Sequence, residues 1–220
     1  MIVSPGDRLL ELASGAVLVC ALVALWRRDL RATVRVLALQ GIALGAVVAT
    51  LAAQRRDATL GATALVVLAE KALVIPVLLD RAVRNDPSGR ESAPLVNVPS
   101  SLVAAGGLTV LAFGALAPLG ALAPDPSGRL APIGVATLLI GLLVLVTRRK
   151  AVSQIVGIVL LDNGIALAAF LLTGGVPLLV ELGVSLDVLL AVVVARVLSA
   201  QMHAQFGALD LDQLRELRDS

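Results

Sequence analysis

Glu70, Lys71, Asp162, Glu181 and Asp187 stand inside stretches of sequence that are otherwise apolar, and Asn163 follows Asp162 directly. A charge at the centre of a membrane helix costs about 2.5–3.5 kcal/mol on insertion scales, so each such group needs a partner, a water-filled cavity or a proton. Carboxylates with a lysine among them are the parts of a proton path. Burial disfavours the charged form of each, and an opposite charge nearby restores it. Moving a cation among them would couple proton occupancy to conformation. The competing reading is a static buried ion pair or ordinary hydrogen bonds between helices. The carboxylates and the lysine recur at related depths, which favours the relay.

The depths follow from helix geometry. Glu70, Asp162 and Asp187 each lie roughly eleven residues from the end of their apolar run, which at ~1.5 Å per residue puts all three close to the midplane. By the same rise Glu181 lies about 9 Å nearer one surface. Glu70 and Lys71 are neighbours and point about 100° apart, so they do not neutralise each other. One of them should seek Asp162, Asp187 or another chain. Pro76 cannot donate to the carbonyl of Ala72, and a kink is expected there.

Other chemistry is excluded by composition. Cys20 is the single cysteine and His203 the single histidine. No disulfide within the chain and no thiolate or imidazole metal centre can be built from one of each. Cys20 reads as a small apolar packing residue. No CxxC, phosphate-binding loop or dinucleotide-binding glycine pattern occurs, so no catalytic, cofactor-binding or metal-binding residue is assigned and no cofactor is expected. Gly106-Gly107 reads as a site of close helix packing. The pI near 9.3 reflects basic residues in short breaks between apolar runs. That is the pattern of membrane topology signals, and no nucleic-acid partner is expected.

The elements that must position these groups are membrane helices. The chain has 220 residues, 58% of them hydrophobic, and a mean hydropathy of +0.96. That excess fits a bilayer, where only helices and closed barrels satisfy the backbone. Continuous apolar runs, without period-2 alternation, select helices over a barrel. The runs fall at Leu9–Trp26, Thr33–Ala53, Thr59–Asp80, Ser100–Leu122, Leu130–Thr147, Ala151–Thr173 and Pro177–Ala200, each near the ~20 residues that a span needs. The expected fold is all-α: a polytopic transmembrane bundle of about seven spans. The N-terminal region does not read as a cleavable signal, because Asp7 and Glu11 flank Arg8. With the N-terminus outside and the C-terminus inside, thirteen lysines and arginines face inward and four outward, which is the orientation that positive charge dictates. Asp-Pro-Ser-Gly-Arg occurs at both 86–90 and 125–129 and reads as recurring turn chemistry. The tail from Gln205 places Phe206, Leu209, Leu214 and Leu217 on one face of a short amphipathic helix, either lying on the membrane or docking a partner.

The stretch Leu160-Leu161-Asp162-Asn163-Gly164-Ile165-Ala166-Leu167-Ala168-Ala169-Phe170, then Thr173-Gly174-Gly175-Val176-Pro177 through Glu181 to Leu186-Asp187-Val188-Leu189, resembles component E of the hydrogenase-4 membrane arm. Its C-terminal part is similar to the three-helix K-type subunit of respiratory complex I. The tail Phe206-Gly207-Ala208-Leu209-Asp210 resembles that family too, as does Lys71-Ala72-Leu73-Val74-Ile75-Pro76 more weakly. The resemblance implies three regions: a four-helix region over 1–129, a K-type-like three-helix region over 130–204, and a cytoplasmic tail over 205–220. It also implies a non-redox subunit of a proton-coupled oxidoreductase complex in a bacterial or archaeal cell membrane. Its partners would be antiporter-like subunits and a hydrogenase-like or quinone-reductase-like redox module. In K-type subunits two consecutive helices each carry an embedded glutamate. Asp187 occupies the matching place on the second, and Asp162 lies about one turn from it on the first. A stand-alone ion-coupled transporter and a purely structural scaffold are the alternatives, although the chain shows no pair of interrupted helices of the kind that inverted repeats produce.

Overall fold

The computed structural model describes residues 4–84, 97–122, 126–148 and 151–174. All regular structure among these residues is helical. Helices α1 (Pro5–Trp26), α2 (Leu30–Arg55), α3 (Ala58–Ala69), α4 (Ile75–Arg84), α5 (Val98–Leu122), α6 (Ala131–Thr147) and α7 (Ala151–Thr173) follow in order. A π-helical turn, Glu70–Val74, joins α3 to α4 into one span, and a 3-10 turn, Pro126–Leu130, precedes α6. Six helical segments are therefore long and apolar enough to cross a membrane, and the chain is a multi-pass membrane protein. They coincide with the first six expected spans. The seventh, Pro177–Ala200, lies outside the described residues, as do the tail and the first Asp-Pro-Ser-Gly-Arg copy. Pro126 to Arg129 of the second copy lie in the 3-10 turn.

Polar and charged residues between apolar runs set the helix ends. Ser4 and Asp7 form a reciprocal capping box at the start of α1, with Pro5 in the first turn, so α1 begins earlier than the apolar run alone suggests. Asp29 caps α2, its carboxylate accepting from the Arg31 amide at 3.0 Å. Asp57 caps α3, accepting from Thr59 at 2.8 Å and Leu60 at 3.2 Å. Each satisfies amides that the helix leaves unpaired. Arg56, at φ 53°, closes α2 in the left-handed region, where a non-glycine residue is uncommon.

Short connections make successive spans run antiparallel, and side chains tie their ends. Gln54 at the end of α2 donates to Asp7 at the start of α1 (3.2 Å). The Ser127 hydroxyl donates to the Leu171 carbonyl near the end of α7 (3.1 Å). Arg148 follows the last residue of α6. It is buried, and its guanidinium donates to the Leu25 carbonyl in the last turn of α1 (2.6 Å), where a cation meets unpaired carbonyls and the negative end of the helix dipole.

Inside a bilayer apolar side chains gain little by leaving lipid, so helices associate through close van der Waals contact at small residues. The α6–α7 seam is built this way. A Cβ on Gly134 would meet the backbone of Ala168, on Gly141 that of Leu161, and on Gly164 that of Leu138. On Gly157 it would lie 2.6 Å from the Leu145 nitrogen. Among the described residues a Cβ on Gly106 or Gly107 meets nothing. They lie on α5, which carries exposed Leu102, Val103, Val110, Leu111 and Phe113.

The buried apolar residues form two clusters, one toward each end of the bundle. On α2 one contains Leu30, Val34 and Leu37, and the other begins at Ala43. Along the third span one cluster ends at Val67 and the other begins at Ile75. On α7 the break falls between Leu160 and Ala166. The break holds Gln40, Lys71, Asp162 and Asn163, all buried.

Candidate functional site

Those four side chains form a polar layer at mid-depth. The Lys71 ammonium, on the π turn, donates to the Asp162 carboxylate of α7. The two residues retain only 2% and 3% of their exposure, so the pair is desolvated and each charge depends on the other. One helical position further along α7, Asn163 donates to the Gln40 side-chain oxygen at 2.9 Å. Gln40 in turn donates to the Val17 carbonyl of α1 at 3.0 Å. The third span, α7, α2 and α1 are thereby linked across the bundle at one level.

The π turn shapes this layer. Its closing amide, Ile75, donates to the Glu70 carbonyl, five residues back. Pro76 follows at once and cannot supply a donor to Ala72. The expected kink is therefore realised as a widened turn carrying Glu70 and Lys71, a form often found at functional positions. Gly41 lets this turn approach α2: a Cβ there would collide with the backbone carbonyl of Lys71. Gln40 and Gly41 thus divide the work, one bridging to α7 and α1 and the other admitting the π turn.

Glu70 and Lys71 are adjacent, so their side chains leave the helix about 100° apart. Glu70 is half-buried, and its Oε1 is buried without a hydrogen-bond partner among the described residues. Asn163 Oδ1 and Ser14 Oγ are in the same condition. Polar atoms left so in a low-dielectric interior are costly unless water or another group reaches them. Of the sequence-expected site residues, Lys71 and Asp162 are brought into contact, Glu70 stands next to them on the chain, and Glu181 and Asp187 lie outside the described residues. Gln40, Gly41 and Arg148 were not singled out by the sequence reading, which weighed ionisable groups inside spans. A glutamine at the centre of a 26-residue apolar helix was the available signal. No group of three or more metal-ligating side chains occurs among the described residues.

The chain is 49% identical over 212 residues to the uncharacterized protein Rv0085 of Mycobacterium tuberculosis, covering 96% of each. It is 30% identical over 150 residues to hydrogenase-4 component E of Escherichia coli, covering 67% of this chain and 68% of that protein. The Shigella flexneri component E matches to the same extent. The chain belongs to the hydrogenase-4 component E family. No protein-family profile matches it, nor does any solved structure. In this component E family member, the conspicuous departure from a purely apolar bundle among the described residues is the layer through Gln40, Lys71, Asp162 and Asn163.

Proposed function

We propose that this chain is a membrane-arm subunit of a hydrogenase-like or complex I-like oxidoreductase complex in the cell membrane, with its N-terminus outside. Lys71, Asp162 and Glu70 would carry protons across the middle of its bundle. The observation that carries this reading is the buried Lys71–Asp162 pair lying between two apolar clusters, next to a glutamate whose buried oxygen has no partner among the described residues. A proton passing from the Lys71 ammonium to the Asp162 carboxylate converts an ion pair into a neutral pair in place. Glu70 offers a second carboxylate one residue away, on a turn whose π geometry permits a change of backbone register. The unpaired Glu70 and Asn163 oxygens are suited to hold ordered water. The similarity to hydrogenase-4 component E supports membership of a multisubunit complex, with antiporter-like subunits and a redox module as partners. The same reading assigns Asp187 and Glu181 to the continuation of the path, in a K-type-like region over 130–204.

Glu70→Gln, expressed in the whole complex, tests the proposal with little risk to packing because Glu70 is only half-buried. Electron transfer by membrane vesicles should persist while proton uptake per electron falls at least several-fold. Normal proton uptake in Glu70→Gln and in Asp187→Asn would refute the relay and leave a scaffold. Transport by the isolated chain in liposomes would favour a free-standing carrier instead.

A further inference from the structure

At one end of the bundle α2 and α4 are separated by an open groove of about 670 Å³. Its rim carries Arg31 and Arg35 from the first two turns of α2, and Arg81 and Arg84 from the last turn of α4. All four are exposed. Among the described residues Asp80 is the only carboxylate lining the groove, and it is held by Arg84 at 2.8 Å. The described rim therefore keeps a net charge of +3, four arginines against one aspartate. Arg31 and Arg35 are also four residues apart on one helix, where like charges repel. Deeper in, the groove changes character. Val34, Ala38, Ala72, Leu73 and Val77 line it, and the small side chains of Ala38 and Ala72 make the room. From Arg81 down to Leu73 is eight residues, about 12 Å of helix.

We propose that this groove binds an anionic phospholipid, its phosphate among Arg31, Arg35 and Arg81 and one acyl chain against the apolar wall below. Two features select this occupant. The cationic rim demands negative charge. The transition from guanidinium to aliphatic side chain runs along the helix axis, as the transition from phosphate to acyl chain does in a phospholipid, and basic pockets between helices at a membrane surface are the usual form of such sites. A soluble acidic peptide would satisfy the rim and leave the aliphatic wall uncovered. The assignment is independent of the proton reading, because none of the four arginines belongs to the buried layer.

The test is native mass spectrometry of the full chain released from nanodiscs of phosphatidylcholine alone, or doped with cardiolipin or phosphatidylglycerol. The wild type should retain the anionic lipid and not phosphatidylcholine, and added inorganic phosphate should not displace it. Combining Arg31→Gln, Arg35→Gln and Arg81→Gln should lower retention about tenfold or more, given the contribution of each basic residue near a membrane surface. Ala38→Phe keeps every charge and fills the wall. It should also lower retention, and it decides the matter if the triple variant does not fold. Arg27→Gln with Arg28→Gln removes two exposed charges at the same end but outside the groove, and should change nothing. Equal losses in this control, retention unchanged in the groove variants, or displacement by phosphate alone would overturn the proposal. So would a photo-crosslinker at Leu73 that captures a protein segment in place of lipid.

Discussion

Two faces of α7 are held by different physics. Toward α6, Gly157 and Gly164 bring one backbone against another, with Gly134 and Gly141 answering from the other helix. Toward α2 and the third span, Asp162 and Asn163 make two polar contacts at a single level. The first face spreads its stabilisation along the helix and is sensitive to size. The second concentrates it at one depth and is sensitive to charge. A helix with both is clamped along its length on one side and fixed in register on the other.

Charge should give the largest effect. Asp162→Ala strands the Lys71 ammonium and should cost about 3–5 kcal/mol, read as unfolding in detergent with increasing SDS. Replacing both partners, Lys71→Met with Asp162→Leu, should recover most of the loss. If the double variant is as unstable as the single one, the pair is not the register device described above. Size comes next. Gly164→Leu should cost about 1–3 kcal/mol through overpacking against Leu138, by the same measurement, and a neutral outcome would mean that the seam is looser than its geometry. Gln40→Leu removes two hydrogen bonds, each averaging about 0.6 kcal/mol within membrane proteins, and leaves the Asn163 amide without its acceptor. A loss of about 1–2 kcal/mol is expected, smaller than for Asp162→Ala because no charge is exposed. Smallest of all should be Gly107→Leu. With no described neighbour around its Cβ, the change should stay within about 0.5 kcal/mol, and its helix propensity even favours it. A loss as large as that of Gly164→Leu would show that α5 is covered where the described residues leave it open.

The helical spans were legible because a bilayer demands long apolar runs, and the sequence marks them with charge. The functions of those charges were less legible. Asp29 and Asp57 lie between apolar runs, and their proximity to free amides makes them caps. Arg148 belongs to a basic break between apolar runs, and only the fold brings the end of α1 within its reach. Which glycines meet a neighbour among the described residues was not legible, because a glycine in a uniform apolar run carries no record of which face is covered: Gly134, Gly141, Gly157 and Gly164 pack against backbone, and Gly106 and Gly107 meet no described neighbour. Glu70, Lys71 and Asp162 were legible as a group because a charge inside a span is expensive wherever the span sits.

Sequence alone determined the class of this protein, its first six spans and the shared depth of Lys71 and Asp162. Each follows from solvation and helical rise, which are local properties. Tertiary structure decided that Lys71 takes Asp162 as its partner, 91 residues away. It also turned the effect of Pro76 into a π turn seated on Gly41 and joined Gln40 to Asn163 and Val17. Those outcomes depend on which helix faces which, and in a bilayer that choice is made by backbone contact and polar pairing, with little contribution from hydrophobicity.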